Sequence, residues 1–141
     1  MPNRNFRALN ALRRLRRVET DEARRDLGEA LTRETALARR NAAMRDELAT
    51  ARRMTGDFDR EAFSAWLGRT RAERAQVADA LKEAEAGTAA ARMLLANRRV
   101  AEISAEEALA QAVTARDAEV ARRDQLMLED VARALRRAAE R

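Results

Sequence analysis

The chain has 141 residues, 38% of them charged and only 3% aromatic, with 29 Lys+Arg against 24 Asp+Glu and a formal net charge of +5. Ala, Arg, Glu and Leu dominate, with four glycines and one proline, a bias of long helices and coiled coils that leaves too little bulky side chain for a thick globular core. The absence of both Cys and His removes disulfides, thiolate nucleophiles, the usual zinc ligands and the commonest general base, so no cofactor, metal or catalytic site is expected.

A first helix is expected from about Arg4 to Arg53, because that span holds no proline and one glycine, Gly28. Counting in sevens, its core positions read Phe6, Leu9, Arg13, Arg16, Thr20, Ala23, Leu27, Ala30, Glu34, Leu37, Asn41, Met44, Leu48 and Ala51. From Ala23 onward the alternating spacing of three and four is that of a coiled-coil seam, with Glu34 and Asn41 as polar interruptions of the kind that set register at some cost in stability. The start of this helix is strongly basic. Arg4, Arg7, Arg13, Arg14, Arg16 and Arg17 precede Val18 with no acid among them, a cluster that can seek nucleic acid, anionic lipid or an acidic protein surface.

The turn expected next is Met54-Thr55-Gly56-Asp57-Phe58. Gly56 can end the first helix in a left-handed conformation, and Asp57 or Asp59 can cap the second. The second helix, from about Asp59 to Ala139, carries Phe63, Leu67, Thr70, Arg74, Val77, Leu81, Ala84, Thr88, Ala91, Leu95 and Leu109 on one stripe. Beyond Leu109 the apolar positions become Val113, Val120, Met127, Val131 and Ala134, an offset of four that is a stutter.

The expected fold is therefore all-α, a long antiparallel two-helix coiled coil forming one domain. A fold at Gly56 sets Arg4 opposite about Leu109, so a single helix from about Ala110 to Arg141 overhangs. Such a helix is marginal alone and expects a partner, whereas the isolated protein is expected to be an elongated monomer. A rival fold breaks the second helix at Gly87-Thr88 into a three-helix bundle, and Ser104-Ala105-Glu106-Glu107 matches a capping box. The stripe passes through Gly87 without shifting, which favours the unbroken helix. No apolar run approaches the roughly 20 residues that a membrane helix needs, and the arginine-rich start has no apolar stretch behind it, so a cytoplasmic location is expected.

Three groups of residues are candidates for function. Leu12, Leu15 and Val18 fall off the heptad stripe among the arginines. Either the seam rotates locally to take them in, or they form an exposed apolar ridge suited to a helix-in-groove contact. Phe63, Trp66 and Leu67 gather the only tryptophan near the turn, as a plug of the hairpin end or as a binding anchor. The interleaved Arg/Glu pairs read as a solvated face with weak i,i+4 pairing. Glu106 and Glu107 are adjacent on the helix and do not converge as an acid/base pair.

The two ends resemble a known family. Phe6-Arg7-Ala8-Leu9, followed by Leu12, Leu15-Arg16, Glu19 and Ala23, is similar to the opening of the flagellar export protein FliJ family. The stretch from Arg122 through Gln125, Met127 and Val131 to Ala132 looks like that family's C-terminal pattern. The virulence-type secretion stalk proteins of the SctO/YscO family share the layout. The resemblance implies a non-enzymatic stalk of a type III export apparatus. Its paired terminal regions would enter a hexameric export ATPase, and the region near the turn would meet a membrane export gate, with other export chaperones as further partners. Carried over by position, Phe6, Leu9, Leu12, Arg13, Leu15, Arg16, Arg123, Gln125, Met127 and Val131 would face the ATPase. Arg40, Met44, Leu48, Phe63, Trp66, Leu67 and Arg74 would be gate-side candidates, although Glu47 and Ala51 stand where some relatives carry aromatics. No small-molecule substrate is implied. A nucleic-acid-binding helical protein is the rival from another class, using its arginines on phosphate with steep salt dependence; the interleaved acids and scarce aromatics oppose it.

Overall fold

A computed structural model describes residues 2–54, 56 and 59–140. They form two helices, α1 (Pro2–Arg53) and α2 (Arg60–Ala139), which pack against each other as a helical hairpin with no strand among the described residues. The packing falls into two compact units, Thr20–Arg98 and Met1–Glu19 with Arg99–Arg141.

Within Thr20–Arg98 the seam follows the heptads. Every seam position expected on α1 from Thr20 to Ala51, and on α2 from Phe63 to Leu95, is buried or half-buried. The register is fixed by the Thr20 hydroxyl, which donates to the Arg98 carbonyl oxygen at 3.3 Å. Counting heptads from that pair sets Leu27 opposite Ala91, Ala30 opposite Thr88, Leu37 opposite Leu81 and Leu48 opposite Thr70. The same count puts Arg40 and Glu73 on one flank, where they form an ion pair across the helices. The deepest apolar side chains here are Ala23, Met44, Leu48, Ala51 and Val77. Ala23, Ala51 and Val77 among them keep the seam thin, as the composition requires.

At the turn, the Met54 N–H donates to the Ala51 carbonyl at 3.3 Å and closes α1. Asp59 caps α2: its Oδ1 accepts from the backbone N–H groups of Glu61 at 3.0 Å and Ala62 at 3.2 Å. A cap of this kind contributes about 1 kcal/mol. The alternative cap Asp57, and Thr55 beside Gly56, lie outside the described residues. α2 runs unbroken through Gly87, and Thr88, the N-cap of the rival three-helix reading, is instead an interior seam residue that is 1% exposed. Mid-helix glycine costs about 1 kcal/mol against alanine, which the seam contacts of Ala84 and Thr88 on either side offset. Ser104 likewise lies inside the helix and caps nothing.

In the second unit, Phe6, Leu9, Arg13 and Arg16 of α1 are half-buried, as are Leu109 and Ala112 of α2, while Glu102 and Ala105 are 4% and 5% exposed. The stutter expected after Leu109 does not redirect the packing. Val113 is half-buried, but Val120, Met127 and Val131 are 50%, 65% and 51% exposed. The original frame continues through Ala112, Arg116 and Glu119, with the Arg116 guanidinium 5.6 Å from the centroid of the Phe6 ring. A small side chain and the stem of a long charged one suffice for contact, so the frame outlasts its apolar residues. Unpaired helix therefore begins at about Val120 and not near Ala110. From Val120 to Glu140 every residue except Ala132 is exposed.

Candidate protein-interaction surfaces

The first candidate surface lies on α1. Because the seam keeps its frame, it does not rotate to take in the off-stripe residues: Leu12, Leu15 and Val18 are 37%, 54% and 54% exposed. They form an apolar ridge with exposed Arg14 and Arg17 between them. Arg13 and Arg16, expected to face a partner, are seam residues. Arg16 Nη1 donates to Glu19 Oε2 at 2.8 Å, and across the same seam Arg99 Nη1 donates to the buried Glu102 Oε2 at 2.9 Å. The outward charges of this segment thus belong to Arg14 and Arg17. Sequence pattern could have assigned them, since they occupy neither core position of the heptad.

The second surface is the unpaired part of α2. Arg123 Nε donates to Glu119 Oε1 at 2.9 Å and Arg122 Nε to Glu119 Oε2 at 3.3 Å. These hydrogen bonds, that of Arg123 first, hold the Glu119 carboxyl below its ordinary value. Gln125 Nε2 donates to Glu129 Oε1 at 3.3 Å. Arg123 and Gln125 are therefore occupied along their own helix, while Met127 and Val131 are open to solvent. Leu128 and Leu135, 70% and 66% exposed, extend the same face through their spacing with Val131, one of three and then four residues. The resemblance does not point to these two leucines, but helical periodicity does.

The third surface is near the turn, where the Phe63 and Trp66 rings stack with centroids 5.8 Å apart and an interplanar angle of 27°. Trp66 borders an open groove of about 580 Å³ with Ala43, Asp46, Glu47, Thr50, Ala51 and Met54. One side of this tryptophan stacks on Phe63, and the other lines the groove. Of the gate-side candidates, Met44 and Leu48 are 7% and 5% exposed and belong to the seam. Leu67 and Arg74 are half-buried in the same stripe, and exposed Arg40 is paired with Glu73. Of these candidates, Trp66 and Arg40 are the ones that lie off the seam stripe.

A further groove of about 580 Å³ opens where Ala30, Ala84, Gly87 and Ala91 leave space between Asp26, Glu29, Arg33 and Glu83. Among the described residues no group of three or more His, Cys, Asp or Glu side chains could hold a metal ion. No described helix is long and apolar enough to cross a membrane. Comparison with protein-family models, with curated proteins and with solved structures gave no match.

Proposed function

We propose that the chain is a non-enzymatic coiled-coil stalk of a bacterial flagellar type III protein export apparatus, engaging the export ATPase with its basic end and the membrane export gate with its turn. The resemblance at the two ends motivates the reading, and the exposed ridge of Leu12, Leu15 and Val18 with Arg14 and Arg17 beside it carries it. An apolar stripe flanked by cations suits a groove rimmed by acids: charge speeds the encounter, and burial of the leucines holds the complex.

The test uses the purified full chain and the hexameric export ATPase. Leu12→Ala with Leu15→Ala should accelerate dissociation, and Arg14→Glu with Arg17→Glu should slow association and flatten its salt dependence. All four positions are exposed, so helicity should survive both changes. Unaltered ATPase binding, together with lost affinity for DNA in the arginine variant, would replace this reading with a nucleic-acid one. Binding to a virulence-type export ATPase in preference to the flagellar one would instead assign the chain to the SctO/YscO-like stalks.

A further inference from the structure

We propose that the groove beside Trp66 receives an arginine side chain from a partner protein. The groove lies at the turn end assigned above to the export gate, but the inference rests on the groove alone and holds for any protein that meets this end. Heptad counting supplies the reason. Arg40 and Glu73 form an ion pair across one flank of the hairpin. One heptad nearer the turn, seven residues on along α1 and seven back along α2, the same flank sets Glu47 opposite Trp66. Both line the groove of about 580 Å³. This position therefore holds the acid of an interhelical pair and an aromatic ring where its cation would stand.

Glu47 lacks a cation along its own helix as well. Its neighbours three and four residues away are Ala43, Met44, Thr50 and Ala51. The pairing that occupies Glu19, Asp21 and Glu119 within their own turns is thus closed to it. Among the described residues Glu47 has no ion-pair partner, and none of those lining the groove is cationic. Asp46 adds a second carboxylate to the rim, with Arg45 Nε 3.7 Å away. One side of Trp66 is taken by the Phe63 ring, 5.8 Å between centroids, which leaves the other for a ligand. A guanidinium matches what remains: its plane stacks on the indole while its edge donates to the Glu47 carboxylate. An ammonium has no plane to stack. The arginine stem would lie along Ala51 and Met54.

Trp66 is the only tryptophan in the chain, so its fluorescence reads the site in the intact protein without any export component. The probes are a capped peptide with one arginine between two leucines, and the same peptide with lysine or neutral citrulline in that place. The arginine peptide should change the emission saturably, with a dissociation constant of roughly a millimolar, because an exposed cation–π contact and an exposed ion pair are each weak. The lysine peptide should bind about threefold more weakly and the citrulline peptide about tenfold. Glu47→Gln should weaken the arginine peptide about three- to fivefold. Glu85→Gln, the same loss of charge at an exposed position far along α2, should leave it unchanged. No saturable response to the arginine peptide, equal binding of the lysine or the citrulline peptide, or an equal effect of the two glutamine variants would each overturn the proposal.

Discussion

The guanidinium of Arg116 lies over the ring of Phe6, 5.6 Å from its centroid, and ties the first turns of α1 to α2. Asp117 Oδ1 orients it, accepting from Arg116 Nε at 3.1 Å and Nη2 at 2.9 Å. A partly exposed cation–π contact contributes about 0.5–1 kcal/mol. Arg116→Ala should therefore speed amide hydrogen exchange in α1 around Phe6 and Leu9 roughly two- to fivefold, leaving Ala23 and its neighbours unchanged. Phe6→Leu, which keeps apolar bulk and removes the π face, should reproduce most of the effect. Unchanged exchange in both variants would mean that the contact does not hold the end of α1.

Among the described residues Thr20 and Thr88 are the two most deeply buried side chains, at 0% and 1% exposure, and they predict opposite responses to the same substitution. The Thr20 hydroxyl donates to the Arg98 carbonyl, whereas the Thr88 Oγ1 is buried with no hydrogen-bond partner. Valine keeps the branched shape and removes the hydroxyl. Thr20→Val should lose about 1 kcal/mol, the net worth of a buried hydrogen bond. Thr88→Val should gain about 1 kcal/mol, because it removes a desolvated group that receives nothing in return. Urea unfolding checks both signs, and two shifts in the same direction would contradict the assignment.

Glu119 sets a pH-dependent feature at the start of the unpaired helix. Its carboxyl is held below the ordinary value by hydrogen bonds from Arg123 and then Arg122. A depressed folded-state value means that the stabilisation is fully present above the unfolded pKa and is lost as pH falls through the folded one. Carboxyl NMR should find Glu119 titrating below the ordinary glutamate value, and Arg123→Gln should move it back up. Helicity around Ala118–Arg123 should fall only on acidification, with Glu119→Gln removing that dependence. An unshifted Glu119 would show that the two arginines do not hold it in solution.

Trp66 both stacks on Phe63 and lines the groove with Met54 and Thr50. Trp66→Ala should lower stability by about 1–2 kcal/mol through loss of the aromatic pair and partial burial, while thermal unfolding stays cooperative. If the groove is a partner site, the same change should weaken binding of the export gate's cytoplasmic domain tenfold or more. Loss of the cooperative transition would make Trp66 a structural plug, and the gate contact would have to be sought elsewhere.

The seam of α1 was readable residue by residue, down to Arg13 and Arg16, because a two-helix hairpin offers one buried direction and the heptad reports it. On α2 the same reading held to Leu109 and then followed the apolar residues away from the true frame. What the apolar pattern concealed is that Glu102, a charged side chain, is 4% exposed within the frame. It is tolerated there because Arg99 is its ion-pair partner, and burial of a charge is acceptable where it is paired. The site residues were less legible for a related reason. Residues such as Met44 and Leu48 serve the seam, and a one-dimensional pattern does not separate an apolar residue that holds the hairpin from one that faces outward. Leu128 and Leu135 were within reach of helical periodicity on the overhang that a fold at Gly56 implies, but the resemblance drew attention to Met127 and Val131 instead.

The apolar stripe of α2 leaves the intramolecular frame between Val113 and Val120, and this amounts to a change of phase along one continuous helix. Lengthening α1 upstream would not cover Val120, Met127 and Val131, because a longer α1 would meet the charged side of α2, where Arg123 and Asp130 stand. Three residues inserted just before Val113 would complete the offset to a full heptad and bring Val120 and Met127 round to the seam side of α2, where only a longer α1 would cover them. The openness of that face thus has two sources, the place where α1 leaves α2 and the angular position of the face's own residues.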